Sequence, residues 1–376
     1  MKLLGIVVNY KAADYCIKAV RSIVESADPS LGSMVIVVVD NSRDRSQVEI
    51  LEKGFSQDGL AGADIRLVVN RENRGFGRAC NQAFDMVESD MVLLLNPDAR
   101  LLPGALGVME KVLFSHPLTG AVAPRIFWDD DCRVMLPPSM PPWFSAFLSS
   151  LGENPWNMRR LASWLWRRYA LKYWQAHTPV TVSNLSGGAV LLKREAVERS
   201  GGLFDEDFFL YYEDTDLFHR LKKAGFHLVM EPTAGAVHYY DQCGRDELAF
   251  KRSFMVQSER IFYAKHGSLV MKGWQRAGKL FNRCHGREKP LSQASALTAP
   301  FTMDIPSKFG DRWLFEWSPD PYFLTAAARI CQGRALGFSK ADWDKLSPGR
   351  YVGRITSLKG WRLKTMGFVW DKKDNA

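Results

Sequence analysis

The stretch Leu93-Leu94-Leu95-Asn96-Pro97-Asp98 predicts the end of a buried strand with a carboxylate set just beyond it. Pro97 ends the strand, because proline has no N–H to donate to a neighbouring strand and fixes its own φ. Open α/β sheets bind their ligands at the carboxyl ends of the strands. A carboxylate at that place is a natural ligand for Mg²⁺ or Mn²⁺, and such a metal can hold a diphosphate. The alternative is that Asn-Pro-Asp forms an ordinary turn.

The first 125 residues alternate between apolar runs typical of buried strands and segments with helical periodicity. This alternation favours an α/β fold in which a mainly parallel, Rossmann-like sheet is covered by helices on both faces. The carboxyl ends of parallel strands meet at one edge of the sheet, so the polar residues that follow the runs should share one pocket. Those residues are Asn9, Asp40, Asn70, Asn96 and Asp98.

Size and composition favour a globular protein of two domains. The chain has 376 residues, which exceeds one average domain, and its apolar fraction of 46% is ordinary. Its formal net charge of +9 is compatible with a phosphorylated substrate, anionic lipid or nucleic acid and does not choose among them. The six cysteines are scattered, which argues against structural zinc and against a disulfide framework. Reduced thiols in a cytoplasmic protein are the simplest interpretation.

Neither a secretion signal nor a membrane-spanning segment is expected. The apolar stretch at 3–8 is too short for a signal peptide and lacks a cleavage site, so we predict that it is the first strand. No apolar run reaches the length that crosses a bilayer. We therefore expect a cytoplasmic protein whose membrane contact, if it has one, is peripheral and at the inner face of the cell membrane.

Residues 126–180 interrupt the α/β pattern with a segment rich in tryptophan and arginine. A helix is predicted through 157–175, because Pro155 is a start signal. Helical spacing puts Arg160, Ser163 and Arg167 on one face of that helix. Amphipathic helices of this composition suit an anionic membrane surface. The alternative is that the aromatic side chains pack against the main domain and the arginines form a solvated rim.

The composition changes again at about residue 267. Residues 267–312 are predicted to be a helical and linker segment, since Pro, Ser, Gly and charges occur over 283–312 without periodicity. Residues 313–376 carry short apolar and aromatic runs and are predicted to form a smaller, β-containing accessory region. The main domain is predicted over residues 1–266, with 126–180 as an insertion.

Two stretches after predicted strands suggest a nucleotide site. The carboxylate of Asp40, followed by Asn41 and Ser42, can accept a hydrogen bond from a nucleobase or a ribose hydroxyl. The alternative role of Asn41 or Ser42 is to cap a helix. A second stretch, Asn73-Arg74-Gly75-Phe76-Gly77, precedes a predicted helix whose N-terminus favours an anion. A bare glycine turn is a weak signal, and the arginines at 74 and 78 strengthen it.

Carboxylates crowd the stretch 205–216, which holds six acids in twelve residues. Glu213, Asp214 and Asp216 open a predicted helix, where one or two acids are explained by the helix dipole. Crowded carboxylates in a partly dry site raise one pKa, which suits a general base. His238 follows a short predicted strand and could complete a metal site begun by Asp98, although a lone histidine is usually structural.

These motifs, in this order, resemble the inverting family 2 glycosyltransferases with the GT-A fold, and most closely their bacterial rhamnosyltransferase-like branch. The resemblance covers roughly residues 1–265. The matching stretches are Val7-Val8-Asn9-Tyr10, Val39-Asp40-Asn41-Ser42, Asn73-Arg74-Gly75-Phe76-Gly77 with Asn81, Leu95-Asn96-Pro97-Asp98, Ser186-Gly187-Gly188-Ala189, Phe204-Asp205-Glu206-Asp207-Phe208-Phe209, Glu213-Asp214-Thr215-Asp216 and His238.

Three positions depart from the pattern of that family. Asn96-Pro97-Asp98 stands where the family has its D-x-D metal motif, with the first Asp replaced by Asn. Asp241-Gln242-Cys243 occupies the place of the common Gly-Gln-Ser. Gln257-Ser258-Glu259-Arg260 is followed by Ile261 and lacks the Trp of the processive Q-x-x-R-W signature, which favours the addition of a single sugar.

The resemblance implies a metal-dependent hexosyltransferase that uses Mg²⁺ or Mn²⁺, held by Asp98 and His238. It implies dTDP-L-rhamnose as the donor and a glycan or lipid-linked glycan as the acceptor, in bacterial polysaccharide or lipopolysaccharide biosynthesis. Asp214 would be the general base, and spacing leaves Glu213 and Asp216 as alternatives. The nucleotide-binding residues would be Asn9, Tyr10, Asp40, Asn41, Asn73, Arg74, Gly75, Gly77 and Asn96. The pocket for the donor sugar and the acceptor would include Gly187, Gly188 and Tyr212.

Other functions stay open at this point. The enzyme could use another UDP-, dTDP- or GDP-sugar, or the chain could bind a nucleotide sugar without transferring it. A nucleic-acid-binding protein should show a continuous basic groove with interleaved aromatic residues. Residues 156–175 could imitate such a groove, but the acids at the strand ends argue against a polyanion in the main pocket. No nucleic-acid partner is therefore expected.

Overall fold

In the computed structural model, which describes residues 1–28, 32–56, 60, 62–152, 156–239, 248–267, 297–323, 325–358 and 365–373, the chain divides between two units. The first unit comprises residues 1–127, 138–142 and 176–268, and the second comprises 128–137, 143–175 and 269–376. The predicted insertion at 126–180 is thus divided between the units, and its tryptophan-rich part belongs with the C-terminal residues. Most of the predicted linker at 267–312 lies outside the described residues.

The strands, numbered in chain order, are β1 Lys2–Asn9, β2 Ser33–Asp40, β3 Asp64–Val69, β4 Met91–Leu95, β5 Ala99–Leu101, β6 Thr119–Phe127, β7 Met135–Leu136, β8 Val180–Val182, β9 Ala189–Lys193, β10 His227–His238, β11 Phe301–Asp304, β12 Arg312–Ser318, β13 Ala327–Gln332, β14 Ala335–Phe338, β15 Gly349–Ser357 and β16 Thr365–Lys372. The helices are α1 Ala13–Ser26, α2 Arg45–Phe55, α3 Phe76–Met86, α4 Ala105–Ser115, α5 Pro142–Gly152, α6 Trp156–Trp174, α7 Arg194–Arg199, α8 Glu213–Lys223, α9 Leu248–His266 and α10 Lys340–Lys345.

The sheet of the first unit has the strand order β3-β2-β1-β4-β9-β6-β10. Strands β3, β2, β1 and β4 are parallel, β6 and β10 are parallel to each other, and β9 lies antiparallel between β4 and β6. The predicted α/β class with a mainly parallel sheet is therefore confirmed. The carboxyl ends of β1, β2 and β4 share one edge, and the polar residues Asn9, Asp40 and Asn96 lie there.

Helices cover both faces of this sheet. Leu3 and Val7 of β1 belong to a buried cluster together with apolar side chains of α1 and α4. Side chains alternate along a strand, so Leu4, Ile6 and Val8 point to the other face, where α3 packs on β1 and β2. Strands β1, β2 and β4 are apolar on both faces because both faces are buried, as expected for a parallel sheet, whereas β3 at the edge of the sheet has no buried residue.

The second unit contains an antiparallel sheet with the order β16-β15-β12-β13-β7 and a separate pair formed by β11 and β14. Its core is aromatic and includes the buried rings of Trp313, Phe315, Trp317, Trp343 and Trp370. The prediction of a β-containing C-terminal region is confirmed. The short α10 begins at a capping box in which Ser339 and Asp342 satisfy each other's backbone N–H groups.

Helix α6 buries the face that the sequence pattern assigned to a basic surface. Ser163 and Arg167 are buried, and an Arg167 guanidinium nitrogen lies 3.0 Å from a carboxylate oxygen of Glu316. Arg354 holds the same carboxylate with two hydrogen bonds of 2.8 and 3.0 Å. The interpretation of Ser163 and Arg167 as a solvent-facing stripe is therefore wrong, because Glu316 draws Arg167 inward. The side chain of Arg160 lies outside the described residues.

Helices α2 and α5 are among those that the sequence pattern did not predict. Helix α2 has a clear start signal, since the Asp44 side chain accepts from the backbone N–H of Ser46 at 2.9 Å. Helix α5 carries no charged residue, so it has no charged face to reveal a helical period. In the described part of the chain, no helix has the length and apolar character needed to cross a bilayer.

Candidate active site

Asp40 is fully buried at the end of β2, and polar side chains hold both of its oxygens. The amide nitrogen of Asn9 donates to one oxygen at 2.7 Å, and the Ser42 hydroxyl donates to the other at 2.8 Å. Asn9 stands at the end of β1, in register with Asp40. Parallel pairing thus brings together two residues predicted to hold a nucleotide. Tyr10 follows directly, and Lys11 lies over its ring, 5.2 Å from the centroid.

Hydrogen bonds of the Asn41 side chain connect three chain segments at the same edge of the sheet. Its side-chain nitrogen donates to the carbonyl of Gly75 at 3.1 Å, and its side-chain oxygen accepts from Asn70 at 2.8 Å. Asn70 follows β3, so these bonds join the ends of β2 and β3 to the glycine turn before α3. Asn73 stabilises that turn by accepting from the backbone N–H of Gly75 at 3.0 Å. Both Asn41 and Asn70 are buried, and each has a hydrogen-bond partner at this edge.

The two glycines of the turn permit a close backbone approach from the acidic stretch. Gly75 has φ +81°, and a Cβ there would lie 2.4 Å from the carbonyl oxygen of Phe209. That carbonyl accepts from the backbone N–H of Phe76 at 3.1 Å. A Cβ on Gly77 would lie 3.3 Å from the Cβ of Phe204. Arg74 is exposed at the surface of the turn, 3.4 Å from the Gln82 side chain.

Asp98 and His238 face each other at the end of the sheet. His238 Nε2 lies 3.1 Å from an Asp98 carboxylate oxygen, and both side chains are buried. The side-chain nitrogen of Asn96 is 3.4 Å from the same imidazole nitrogen. Antiparallel pairing of β5 with β10 sets His238 opposite Ala99 and so fixes this geometry. Residues 140 positions apart in the chain are thereby brought into contact.

A carboxylate and an imidazole in contact form a donor pair that fits Mn²⁺ or Mg²⁺. Among the described residues, no group of three or more His, Cys, Asp and Glu side chains is arranged around a metal position. A metal held by Asp98 and His238 would therefore take its other ligands from substrate and water, as Mg²⁺ and Mn²⁺ sites on diphosphates often do.

Gly187 and Gly188 connect this pair to the first turn of α8. The backbone N–H of Gly187 donates to Asp214 at 2.9 Å, and the carbonyl of Gly188 accepts from the backbone N–H of Asn96 at 2.9 Å. A Cβ on Gly188 would lie only 2.5 Å from Cε1 of His238. Two adjacent glycines thus lie between Asp214 on one side and Asn96 with His238 on the other.

The three acids that open α8 have different surroundings. Asp216 is buried, 2.7 Å from Arg220 and 2.6 Å from His266. Asp214 is partly buried and, among the residues that the structure describes, accepts from Gly187 and Thr215. Burial raises its pKa, while these hydrogen bonds oppose the rise. Glu213 is buried, and burial together with the charge of Asp214 raises its pKa to about 8.

The chain enters α8 through two tyrosines with left-handed backbone. Tyr211 has φ +69° and Tyr212 has φ +66°, a conformation that costs an L-residue about 1–2 kcal/mol. Tyr212 packs against Phe262 with ring centroids 5.6 Å apart. Burial and the nearby charge of Glu259 raise the pKa of its hydroxyl. Tyr212 therefore lies beside the acids of α8, and its assignment to the sugar and acceptor pocket stays a prediction.

Helix α9 supports the acidic stretch, a role that the sequence pattern did not reveal. Ser258 donates to the carbonyl of Leu210 at 2.8 Å, and Lys265 lies 2.7 Å from Asp207. His266 reaches Asp216, as described above. The helical period of α9 was visible in the sequence, but its partners lie about 50 residues earlier.

Comparison with known proteins decides the family. The family model "Glycosyl transferase family 2" matches residues 6–201, more than half of the chain. The chain belongs to this family. It is therefore a glycosyltransferase, and the resemblance read from the motifs is confirmed. The match contains the edge residues from Asn9 to Gly188 and ends before the acids of α8 and His238.

One curated relative of this family 2 glycosyltransferase is the N-acetylglucosaminyl-diphospho-decaprenol L-rhamnosyltransferase of Mycobacterium tuberculosis. It is 30% identical over 251 residues, which are 61% of this chain and 76% of the relative. Among solved structures, GalNAc-T7 with UDP, GalNAc and Mn²⁺ aligns with a TM-score of 0.50 at 13% identity, over 74% of this chain and 54% of the other. A mannosyltransferase from Pyrobaculum calidifontis aligns with a TM-score of 0.46 at 18% identity, covering 75% and 70%. The structural alignment with GalNAc-T7 supports the fold alone.

Proposed function

We propose that this family 2 glycosyltransferase transfers a single L-rhamnose from dTDP-L-rhamnose to a lipid-linked glycan, with inversion at the anomeric carbon. The observation that carries the proposal is the contact chain Asp98–His238, Gly188, Gly187 and Asp214, which joins a candidate metal site to a candidate base. The rhamnosyltransferase relative supports the choice of sugar and of a lipid-diphosphate acceptor. Such a reaction belongs to bacterial polysaccharide or lipopolysaccharide synthesis.

The nucleotide would lie along the edge formed by Asn9, Asp40 and Asn41. A carboxylate buried between Asn9 and Ser42 is held in place before any ligand arrives, so little ordering is lost on binding. Tyr10 would contribute its ring, and the turn from Asn73 to Gly77 its backbone. Arg74 would reach the nucleotide from the exposed side, and Asn96 would lie near the diphosphate.

Asp98 and His238 would hold Mg²⁺ or Mn²⁺. When bound, the metal would neutralise the charge that develops on the departing diphosphate, which is typically a large part of the catalysis in group transfer. The protein's part is to fix the two donors: the pairing of β5 with β10 aligns them, and Gly188 leaves room for the imidazole. The Mn²⁺ in the GalNAc-T7 structure belongs to that protein and serves here only as a reason to test the metal.

Asp214 is the best candidate for the base. It is the acid that touches the Gly187–Gly188 segment, and its raised pKa gives it affinity for a proton. Asp216 is engaged by Arg220 and His266, and Glu213 is buried with a pKa near 8. In the reaction, the acceptor hydroxyl would give its proton to Asp214 while its oxygen forms the bond to the anomeric carbon. The bond from that carbon to the diphosphate breaks with inversion.

Gly187, Gly188 and Tyr212 would border the space for the sugar and the acceptor. The two glycines present backbone instead of side chains, so a sugar can approach Asp214 closely. An acceptor carried on a lipid diphosphate is anchored in a bilayer, so we infer that the enzyme works in the cytoplasm at the inner face of the cell membrane.

The test is a panel of nucleotide sugars scored by thermal shift, with and without Mn²⁺, followed by transfer assays on polyprenyl-diphosphate-GlcNAc. We expect dTDP-L-rhamnose with Mn²⁺ to give the largest stabilisation, because ligand binding stabilises the folded state by mass action. We also expect one rhamnose to be added per acceptor. Stabilisation by a UDP- or GDP-sugar instead would overturn the choice of donor. Binding without any transfer would make the chain a nucleotide-sugar-binding protein.

A further inference from the structure

Helix α6 has a solvent-exposed face made of Leu161, Trp164, Arg168 and Lys172. These residues are spaced by three or four positions, so they follow one another along one side of the helix. Leu161 is 42% exposed and Trp164 is 48% exposed. The Arg168 guanidinium lies over the Trp164 ring, 5.1 Å from its centroid. We call these four residues the Trp164 face.

The opposite side of α6 is anchored in the second unit. Ala162, Trp166 and Ala170 are buried, and Arg167 reaches Glu316 at 3.0 Å. Turning the helix to hide Trp164 would expose Trp166 and separate that ion pair. The Trp164 face is therefore presented outward by the packing of the helix.

The sequence segment that carries this face has only basic charges, one of which, Arg167, is paired with Glu316. No Asp or Glu occurs from residue 154 to residue 194, while α6 carries four arginines and one lysine. Helix α5 adds another exposed aromatic residue, Trp143, which is 57% exposed. Its neighbour Phe144 packs on Tyr169 of α6 with ring centroids 5.7 Å apart. Indole rings beside cationic side chains match the boundary between headgroups and acyl chains of an anionic bilayer.

We propose that the Trp164 face docks the enzyme on an anionic membrane surface. Trp164 and Leu161 enter the interface, while Arg168 and Lys172 contact lipid phosphates. The charge complementarity favours an anionic bilayer over a second copy of this chain, because the chain itself has a net charge of +9. The benefit of docking rests on the proposed lipid-linked acceptor, although lipid binding itself needs no sugar transfer.

The experiment is co-sedimentation of the full chain with vesicles of phosphatidylcholine alone and of phosphatidylcholine with phosphatidylglycerol. The variant Arg168→Glu/Lys172→Glu is compared with Arg45→Glu/Lys53→Glu, a charge-matched control on the exposed surface of α2. We expect the wild type and the control to pellet with anionic vesicles at low salt. Binding by the Trp164-face variant should be at least about 25-fold weaker, since each basic residue contributes roughly five-fold near such a surface.

A second variant, Trp164→Ser, keeps the charge and tests the apolar contribution; its binding should fall several-fold. The proposal is overturned if the wild type does not pellet with anionic vesicles. It is also overturned if the Trp164-face variant and its control pellet equally. A change of oligomeric state in Trp164→Ser with unchanged vesicle binding would assign the face to a second copy and also overturn it.

Transfer assays separate this proposal from the proposed function. With a water-soluble acceptor analogue, the Trp164-face variant should transfer sugar at the wild-type rate, whereas transfer to a vesicle-embedded acceptor should fall with binding. If neither protein transfers sugar, the proposed function fails while the sedimentation result still decides the docking.

Discussion

Two buried carboxylates, Glu316 in the second unit and Glu213 in the first, have opposite surroundings. Arg354 holds Glu316 through both oxygens, and Arg167 approaches it at 3.0 Å. Glu213 has no lysine or arginine partner within the described chain, and one of its oxygens lacks a hydrogen bond there. Two guanidinium groups thus compensate the buried carboxylate of Glu316. An uncompensated one holds its proton more tightly, which marks a region selected for something other than stability.

The same contrast recurs within one turn of α8. Asp216 lies against Arg220 and His266, whereas Asp214 accepts hydrogen bonds from Gly187 and Thr215 without a cation. Two neighbouring acids of similar sequence context thus have different partners: Asp216 is paired with basic side chains, and Asp214, the proposed base, accepts from N–H and hydroxyl groups. This difference depends on which residues of distant segments reach each of them.

Asp214→Asn tests the chemical side of this comparison and should have the largest effect. Loss of a general base typically lowers the rate by about 10²–10⁴, so we expect the transfer rate to fall in that range while donor affinity stays near the wild-type value. Single-turnover transfer and donor titration measure the two quantities. Glu206→Gln, an exposed acid of the same stretch, is the control. Retention of most activity by Asp214→Asn would move the base to Glu213 or Asp216.

Glu316→Gln tests the structural side. The substitution leaves Arg167 and Arg354 buried without their carboxylate, and breaking a buried pair from one side typically costs about 3–5 kcal/mol. Urea unfolding, followed by tryptophan fluorescence of the second unit, measures the loss. Glu49→Gln breaks the exposed pair with Arg45 and should cost less than about 0.5 kcal/mol. Equal losses in the two variants would remove the distinction between the two regions.

Glu213→Gln tests the comparison through the pH dependence of stability. The pKa of Glu213 rises from 4.5 to about 8 on folding, so between these values the folded state binds a proton that the unfolded state has released. Stability of the wild type should therefore fall with rising pH in this window, by at most about 1.4 kcal/mol per pH unit. Glu213→Gln should lack this dependence.

Thermal unfolding of wild type, Glu213→Gln and the exposed control Glu52→Gln, followed from about pH 5 to about pH 8, measures the difference. Parallel curves for the wild type and Glu213→Gln would show that Glu213 is ionised in the folded protein. The carboxylate would then need a compensating cation, contrary to the comparison with Glu316.

Gly188→Ala should have a smaller effect on stability than Glu316→Gln and a selective effect on metal binding. A Cβ would lie 2.5 Å from Cε1 and 2.8 Å from Nδ1 of His238, so the imidazole must move away from its position beside Asp98. Such overpacking costs about 1–3 kcal/mol. Mn²⁺ with donor should stabilise Gly188→Ala less than it stabilises the wild type. The control Gly62→Ala, where no heavy atom lies within 4 Å of the added Cβ, should lose less of this stabilisation. Equal metal responses would argue against the metal site.

Much of the first unit follows from local pattern. The apolar runs predict β1, β2, β3, β4 and β9, because strands of a covered sheet are apolar on both faces. Polar residues after those runs predict the edge that holds Asn9, Asp40 and Asn96, since parallel strands end on one side. The contact of Asp98 with His238 needs the pairing of β5 with β10, which no local pattern encodes. The family resemblance implied that Asp98 and His238 hold a metal together.

In the second unit, the buried face of α6 could not be predicted from the sequence, for a physical reason. Whether Arg167 faces solvent depends on Glu316, which is 149 positions away and has no local mark of its role. Helical spacing correctly placed Ser163 and Arg167 on one face, but spacing cannot tell which face is buried when aromatic residues lie on every side. The contacts by which α9 supports α8 are also tertiary, so local sequence pattern does not predict them.

The left-handed tyrosines before α8 have a consequence for how this enzyme can change. Tyr211 and Tyr212 would relax to ordinary backbone if their neighbours released them, and Ser258 holds the preceding carbonyl from α9. Helix α9 thus supports the segment that leads into the candidate base, Asp214. If Asp214 is the base, as proposed, substitutions in α9 can change the rate of transfer through the position of this segment.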